Sequence, residues 1–158
     1  MELMAIITVI ISVVGLSITI ISAWVQAEKQ VNDLYDQMVK FRTEHPEVMR
    51  LSRDWKSGHF AKVYNQTTEK DKKWVIYYSY VELCIGYCNS VLTSRWRLAP
   101  GSYHSQHRPL VMLILAEHNP IIEELVKDEY ISELIKGFRK ERMDENIDWR
   151  EAHRKLAT

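Results

Sequence analysis

The N-terminal part of the chain is a long apolar stretch without charged residues. It runs from Met4 to Val25 and reads MAIITVIISVVGLSITIISAWV. A helix of this length crosses the roughly 30 Å hydrocarbon core of a bilayer. Its serines and threonines are compatible with lipid because their hydroxyls can bond the helix backbone. The pattern predicts a transmembrane anchor over residues 1–25, with Trp24 at the membrane interface.

The charges that flank this stretch predict its orientation. Only Met1, Glu2 and Leu3 precede it, whereas Lys29, Lys40 and Arg42 follow it. Because basic residues concentrate on the cytoplasmic side of a span, we expect a single-pass protein of the cell (inner) membrane. Its N-terminus would lie outside and its C-terminal domain in the cytoplasm. The alternative is a cleaved signal peptide ending at Val25-Gln26-Ala27, although the basic residues that usually begin such peptides are missing.

Small side chains recur along the predicted span at alternating steps of four and three residues. They are Thr8, Ser12, Gly15, Thr19 and Ser22, which we call the small-residue seam. Transmembrane helices associate through close packing of small residues and weak hydroxyl hydrogen bonds. The seam is therefore a candidate helix-association surface. Serine, threonine and glycine are also common in spans, so a chance stripe is the alternative interpretation.

Helical spacing of apolar residues continues beyond the span. Val31, Leu34, Tyr35, Met38 and Phe41 lie on one face of a helix, so residues 26–42 are predicted to be a stalk helix that extends the anchor with little break. Pro46 then disfavours helical geometry at His45 and suits the first turn of a new helix.

Four helical segments are predicted within a cytoplasmic domain over residues 43–142. They run from Val48 to Trp55, from Trp74 to Leu92, from Pro109 to Glu117, and from an N-cap at Asn119 to about Arg142. Residues 143–158 form a polar tail. Because strand signals are scarce, the predicted fold class is all-α, with the transmembrane helix continuing into a cytoplasmic bundle of four or five helices.

The segment from Trp74 to Leu92 is the most apolar part of the predicted domain, and a second membrane crossing is its alternative interpretation. Glu82 lies at its middle, and several tyrosines lie far from its ends. Both features are unfavourable in hydrocarbon, so we predict a buried central helix. A carboxylate within such a helix must be paired, protonated or directed at a polar cavity. Glu82 is therefore a buried polar candidate, and exposure on the solvent-facing edge is the alternative.

A long segment without periodicity, Ser94 to Arg108, mixes cations with aromatic side chains. Such a mixture can hold phosphate groups while a ring stacks on a base or lies at the level of lipid headgroups. Its candidate ligand-binding residues are Arg95, Trp96, Arg97, Tyr103, His104, His107 and Arg108. The alternative is a solvated loop whose arginines cap neighbouring helices.

Composition narrows the classes of partner. The chain has 21 basic and 21 acidic residues and no net charge, so no global field attracts nucleic acid, and none is expected as a partner. The two cysteines, Cys84 and Cys88, lie one helical turn apart in an apolar run. A disulfide between them would strain the helix, and reduced, buried thiols are the expected state.

Motifs that would identify an enzyme are missing. No phosphate loop, dinucleotide fingerprint, zinc-protease helix or nucleophile elbow occurs, and no cofactor is expected. The two cysteines with His104 and His107 could supply four metal ligands, but a spacing of four inside an apolar helix is not a zinc signature. No metal site is therefore predicted.

One short motif carries a resemblance. His45-Pro46-Glu47 opens a helix after a single N-terminal span, and an aromatic-rich helix follows. In this layout the chain resembles a loose group of small, uncharacterised bacterial single-span membrane proteins. The resemblance implies an anchored helical domain and no particular activity.

Three functional hypotheses follow from these patterns. The first is a non-enzymatic accessory or scaffold subunit of a membrane complex, whose partners are the lipid bilayer and other membrane subunits or further copies of the chain. The second is a membrane effector gated by an anionic ligand near the 94–108 loop. The third is an enzyme that uses Glu82 and a nearby histidine.

Overall fold

The computed structural model describes residues 2–55, 72–98, 101–127 and 132–144. Residues 56–71 of the predicted cytoplasmic domain and residues 145–158 of the predicted polar tail lie outside these ranges. The described residues form six α-helices and one π-helical turn, without a strand. The helices are α1 (Glu2–Glu44), α2 (Val48–Asp54), α3 (Lys72–Ser94), α4 (Arg108–Glu117), α5 (Asn119–Lys127) and α6 (Glu133–Asp144), with the π turn at Tyr103–His107. The predicted all-α class with one long apolar N-terminal helix is confirmed.

Helix α1 is continuous over 43 residues and has two differently exposed parts. Its N-terminal part presents its apolar side chains to the surroundings, for example Ile11 at 66% exposed, whereas Val31 further along is 0% exposed. Among the described residues, α1 is the one helix long and apolar enough to cross a membrane. It is therefore a candidate membrane-spanning helix. The predicted stalk belongs to the same helix, which ends at Glu44 just before Pro46.

Helix α3 is the central element of the helical domain. Its buried face comprises Trp74, Tyr77, Tyr80, Val81, Cys84, Tyr87, Cys88, Val91 and Leu92. This face packs against α1, α2, α4 and α6, which confirms the prediction of a buried core helix. The rings of Phe41 and Tyr80 lie 5.8 Å apart and those of Tyr35 and Tyr87 lie 6.3 Å apart. Since residue numbers rise on α1 as they fall on α3, the two helices are antiparallel.

The single helix predicted from Asn119 to about Arg142 is wrong. The chain forms two helices, α5 and α6, and Ser132 before α6 is not helical. The Ser132 carbonyl accepts from the backbone N–H groups of Ile135 and Lys136, and its hydroxyl donates to Asn89 Oδ1 on α3 at 2.9 Å. Serine is a preferred residue at such helix starts. Ile135 and Phe138 of α6 are buried in the core.

The expected N-cap at Asn119 is also corrected. Asn119 is the first helical residue of α5, and the carbonyl that accepts from Ile122 belongs to His118. The Asn119 amide instead donates to Glu123 Oε1 at 3.2 Å, and its Oδ1 accepts from Arg139 Nη2 at 2.7 Å. Asn119 therefore connects α5 to α6, because the tertiary partner Arg139 competes with the local backbone for its side chain.

Candidate functional site

A buried polar contact joins the domain to α1 just beyond the candidate span. His107 is 5% exposed, and its Nε2 lies 3.2 Å from Glu28 Oε2 on α1. Its Nδ1 lies 2.9 Å from the Tyr87 hydroxyl on α3. Because a carboxylate only accepts hydrogen bonds, Nε2 carries a proton, and in neutral His107 the Tyr87 hydroxyl donates to Nδ1. We call Glu28, His107 and Tyr87 the juxtamembrane node.

A second tyrosine–histidine pair lies at the other end of α4. Tyr77 and His118 are both fully buried, and the Tyr77 hydroxyl lies 3.0 Å from His118 Nδ1. His107 directly precedes α4 and His118 directly follows it. Each end of α4 is thus fixed to α3 by one hydrogen bond, which sets both the register and the depth of this short helix.

Burial keeps the reactive groups around these pairs protonated. It raises the pKa of Cys84 to about 12 and that of Cys88 well above its ordinary value. It likewise raises the pKa of the Tyr77, Tyr80 and Tyr87 phenols. Nucleophilic cysteine chemistry needs the thiolate. The arrangement therefore favours structural roles for these groups, and the predicted burial of both cysteines is confirmed.

The pKa of Glu117 clearly departs from its ordinary value. It lies at the end of α4, next to His118, and burial raises its pKa, an effect that the positive charges of Arg42 and Arg53 partly offset. A partly buried carboxylate favours its neutral form. The free energy of folding consequently depends on the protonation of Glu117.

The small-residue seam lies in the N-terminal part of α1, where every residue from Met4 to Ser22 is exposed. The hydroxyls of Thr8, Ser12 and Thr19 donate to the carbonyls four residues earlier at 2.8–2.9 Å, as does that of Ser17 outside the seam. These hydroxyls are already bonded within their own helix. A neighbouring helix would therefore contact the seam mainly through close packing.

The structure divides the seven candidate ligand-binding residues of the 94–108 loop. His107 is buried in the juxtamembrane node, and Arg108 begins α4. Tyr103 packs partly against the core, while His104 is exposed. Arg95, Trp96 and Arg97 stay together in a turn directly after α3. The expectation of one long irregular loop is thus corrected, since Tyr103–His107 forms a π turn that runs into α4.

Glu82 is exposed on α3, so of the two interpretations left open by the sequence the solvent-facing one holds in this structure. It borders an open cavity of about 340 Å³ whose described lining comes from α3, α5 and the start of α6. The lining residues are Tyr78, Glu82, Ile85, Gly86, Asn89, Leu125 and Ser132. None of these described residues is a histidine.

The four possible metal ligands are not brought together. Among the described residues no three His, Cys, Asp or Glu side chains form a group that could hold a metal ion. His107 is directed at Glu28 and Tyr87, while Cys84 and Cys88 lie in the apolar core.

The residues of the two tyrosine–histidine pairs were not singled out in the sequence, except for His107. One signal was available, because His107 and His118 flank an apolar helix and are eleven residues apart, close to a whole number of turns. A histidine at each end of one helical face indicates two polar contacts with a neighbour. The identity of that neighbour depended on the packing of α3.

No protein-family model matches the chain, and neither the curated proteins nor the solved structures contain a match to it.

Proposed function

We propose that the protein is a non-enzymatic, membrane-anchored accessory or scaffold subunit of a membrane complex. The observation that carries this proposal is the continuity of α1, whose exposed apolar part and core-packed part belong to one helix. Val31 and Met38 are buried in the domain, and Glu28 binds His107. A partner that binds the span would thereby fix the orientation of the whole helical domain.

The same continuity supports a retained anchor over a cleaved signal peptide. Ala27 is only 7% exposed, and it lies within α1 where the alternative cleavage site would fall. Cleavage there would remove a residue that packs into the core of the folded domain. Lys29, Lys40 and Arg42 follow the apolar part, which supports a cytoplasmic domain and an N-terminus outside the inner membrane. A C-terminal fluorescent-protein fusion should fluoresce, and a C-terminal alkaline phosphatase fusion should be inactive.

Association through the seam can be tested with two matched substitutions. Ser12 lies on the seam and Ser17 lies about 140° around the helix, yet both hydroxyls bond their own backbone at 2.8 Å. In native membranes, oxidation should cross-link Ser12→Cys to a second copy and leave Ser17→Cys monomeric. Equal cross-linking of the two variants would contradict a specific seam between copies.

Association with a different subunit needs a second measurement. Nothing lies within 4 Å of a Cβ built on Gly15, so a larger side chain fits within the protein itself. Affinity purification in mild detergent, followed by mass spectrometry, should recover a partner with the wild-type chain and lose it with Gly15→Leu. Val14→Leu, off the seam, should retain it. A wild-type protein that is monomeric and recovers no partner would refute the scaffold proposal.

A gated membrane effector is the second candidate, favoured by one observation. Arg95 and Arg97 occupy one turn, and the same α3–α4 connection ends in His107, which contacts α1 through Glu28. An anionic ligand at this turn would act on a segment that touches the membrane helix. Nucleotides and soluble phosphates should then raise the melting temperature of the wild-type protein, and an unchanged value across the panel would remove this candidate.

A further inference from the structure

The turn after α3 presents an exposed aromatic ring between two arginines. Trp96 is 83% exposed, and Arg95 places its guanidinium carbon 5.3 Å from the centre of the Trp96 ring. We call Arg95, Trp96 and Arg97 the Arg-Trp-Arg turn. A tryptophan this exposed on a protein surface is unusual, because its ring carries a large apolar area.

The turn is held in place by the core on both sides. The backbone N–H groups of Arg97 and Leu98 donate to the Ser94 carbonyl at 2.6 and 3.1 Å. Leu92 and Leu98, before and after the turn, are 3% and 5% exposed. These contacts fix the backbone, so Trp96 is displayed by an ordered turn instead of a loose loop.

The antiparallel packing of α1 and α3 places this turn at the end of the candidate span. Tyr87 lies against Tyr35, and from there α3 runs on to Ser94 while α1 runs back to Glu28, each covering about 10 Å. The His107–Glu28 contact independently places the α3–α4 connection beside Glu28. Trp24 is about one helical turn nearer the membrane, so Trp96 lies within about 5–6 Å of its level along α1.

The position of the Arg-Trp-Arg turn and the chemistry of its side chains both favour lipid headgroups as its binding partner. The polar headgroup zone on each side of the hydrocarbon core is about 5–7 Å thick, and tryptophan prefers it because the ring is apolar while its N–H is polar. Arginine forks bind phosphate oxygens through charge-assisted hydrogen bonds. The net charge of the chain is zero, so this attraction is local to the turn.

We infer that the Arg-Trp-Arg turn docks into the headgroup layer of the membrane that holds α1, with Trp96 in the interface and Arg95 and Arg97 on anionic lipid phosphates. This gives the domain a second membrane contact besides the span. Two contacts determine the tilt of the domain, whereas a single helix leaves tilt to its neighbours. The inference rests on the proposed membrane placement of α1.

The test uses the full chain in vesicles of phosphatidylcholine and phosphatidylglycerol that contain phosphatidylcholine brominated near the headgroup. Trp24→Phe first removes the tryptophan of the span, and Trp96→Phe is then added to it. We expect this second substitution to lower quenching by brominated lipid about twofold, since Trp96 lies at the level of the lipid headgroups in the proposed arrangement. Trp55→Phe in the Trp24→Phe background is the control, because Trp55 is 5% exposed in the core. It should leave lipid quenching unchanged.

A charge variant separates lipid recognition from simple proximity. In the Trp24→Phe background, phosphatidylglycerol should protect Trp96 from aqueous acrylamide, and Arg95→Gln with Arg97→Gln should abolish that protection. If Trp96 is quenched by acrylamide and not by brominated lipid, the inference is overturned. If inorganic phosphate in detergent protects Trp96 as well as phosphatidylglycerol vesicles do, the inference is also overturned, because the ligand would then be a soluble anion.

The single variant Trp96→Phe, which retains Trp24, distinguishes failure of this inference from failure of the anchor. Quenching of Trp24 by brominated lipid shows that α1 lies in the bilayer, whatever Trp96 does. Loss of quenching at Trp96 alone refutes the docked turn and leaves the anchored scaffold standing. Loss at both rings refutes the membrane placement and the docked turn together.

Discussion

Replacing Tyr87 with phenylalanine removes one hydroxyl from the juxtamembrane node and leaves the ring in place. Tyr87 is 1% exposed, and its hydroxyl lies 2.9 Å from His107 Nδ1. A typical buried hydrogen bond contributes about 1 kcal/mol, and an acceptor left unsatisfied costs about 1–3 kcal/mol. His107 keeps its other bond, to Glu28. We therefore expect Tyr87→Phe to lower the free energy of unfolding by about 2 kcal/mol.

The corresponding melting temperature should fall by about 8 °C for a domain of this size. Near-ultraviolet circular dichroism of the full chain in detergent micelles measures this change, because the signal reports packing of the aromatic core and not the helicity of the span. Tyr35→Phe is the matched control. Its ring also contacts Tyr87 across the α1–α3 interface but is 40% exposed, so its melting temperature should stay close to that of the wild type.

A double-mutant cycle with His107→Ala isolates the pairwise contribution. If the two side chains stabilise the domain through one shared hydrogen bond, Tyr87→Phe should cost about 1 kcal/mol less once His107 is absent. A melting temperature unchanged by Tyr87→Phe, or strictly additive effects, would refute the argument that this bond fixes α4 against α3.

Three further predictions concern groups outside the juxtamembrane node. Glu117→Gln should raise the melting temperature at pH 7 by a few degrees, because burial raises the folded-state pKa of Glu117. The stabilising contribution of Glu117 is therefore complete below its ordinary pKa of 4.5 and is lost as the pH rises through the folded value. The gain should vanish below about pH 4, where both side chains are neutral, and a gain that persists at low pH would contradict this cause. Cys84 and Cys88 are buried with raised pKa values, so N-ethylmaleimide should modify them at least about 100-fold more slowly in the folded chain than in denaturant. Mass spectrometry measures this labelling, and rapid labelling of the native protein would show that the core opens. Gly101 has a φ of +86°, so Gly101→Ala should destabilise the domain by about 1 kcal/mol. The control Gly86→Ala, within α3, should be neutral or slightly stabilising, and equal melting temperatures for the two variants would argue against strain at Gly101.

Hydrophobic periodicity was sufficient to predict most helices, because each has a local cause. The apolar run to Val25 and the spacing of Val31, Met38 and Phe41 predicted a continuous α1, and Pro46 predicted its end. The segment from Trp74 to Leu92 was correctly interpreted as a core helix, since one of its faces is apolar and the charge of Glu82 lies away from that face. The non-helical Ser132 was missed because the apolar spacing continues from α5 into α6.

The candidate site was less predictable, because its contacts join residues far apart in the chain. Glu28 and His107 are separated by 79 positions, and Tyr77 and His118 by 41. The residues next to a histidine in the sequence do not determine which helix packs against it. Composition placed Arg95, Trp96 and Arg97 in one candidate group with His107, which packing moved into the core.

The chain's own residue pattern was enough to establish an all-α fold with one long apolar N-terminal helix, since periodicity and charge exclusion act within a few turns of a helix. The folded arrangement was needed to bring Glu28, His107 and Tyr87 together, to expose Glu82, and to set the Arg-Trp-Arg turn level with the end of the candidate span. These features depend on the antiparallel packing of α1 and α3, and helix packing is determined by side chains that meet only in three dimensions.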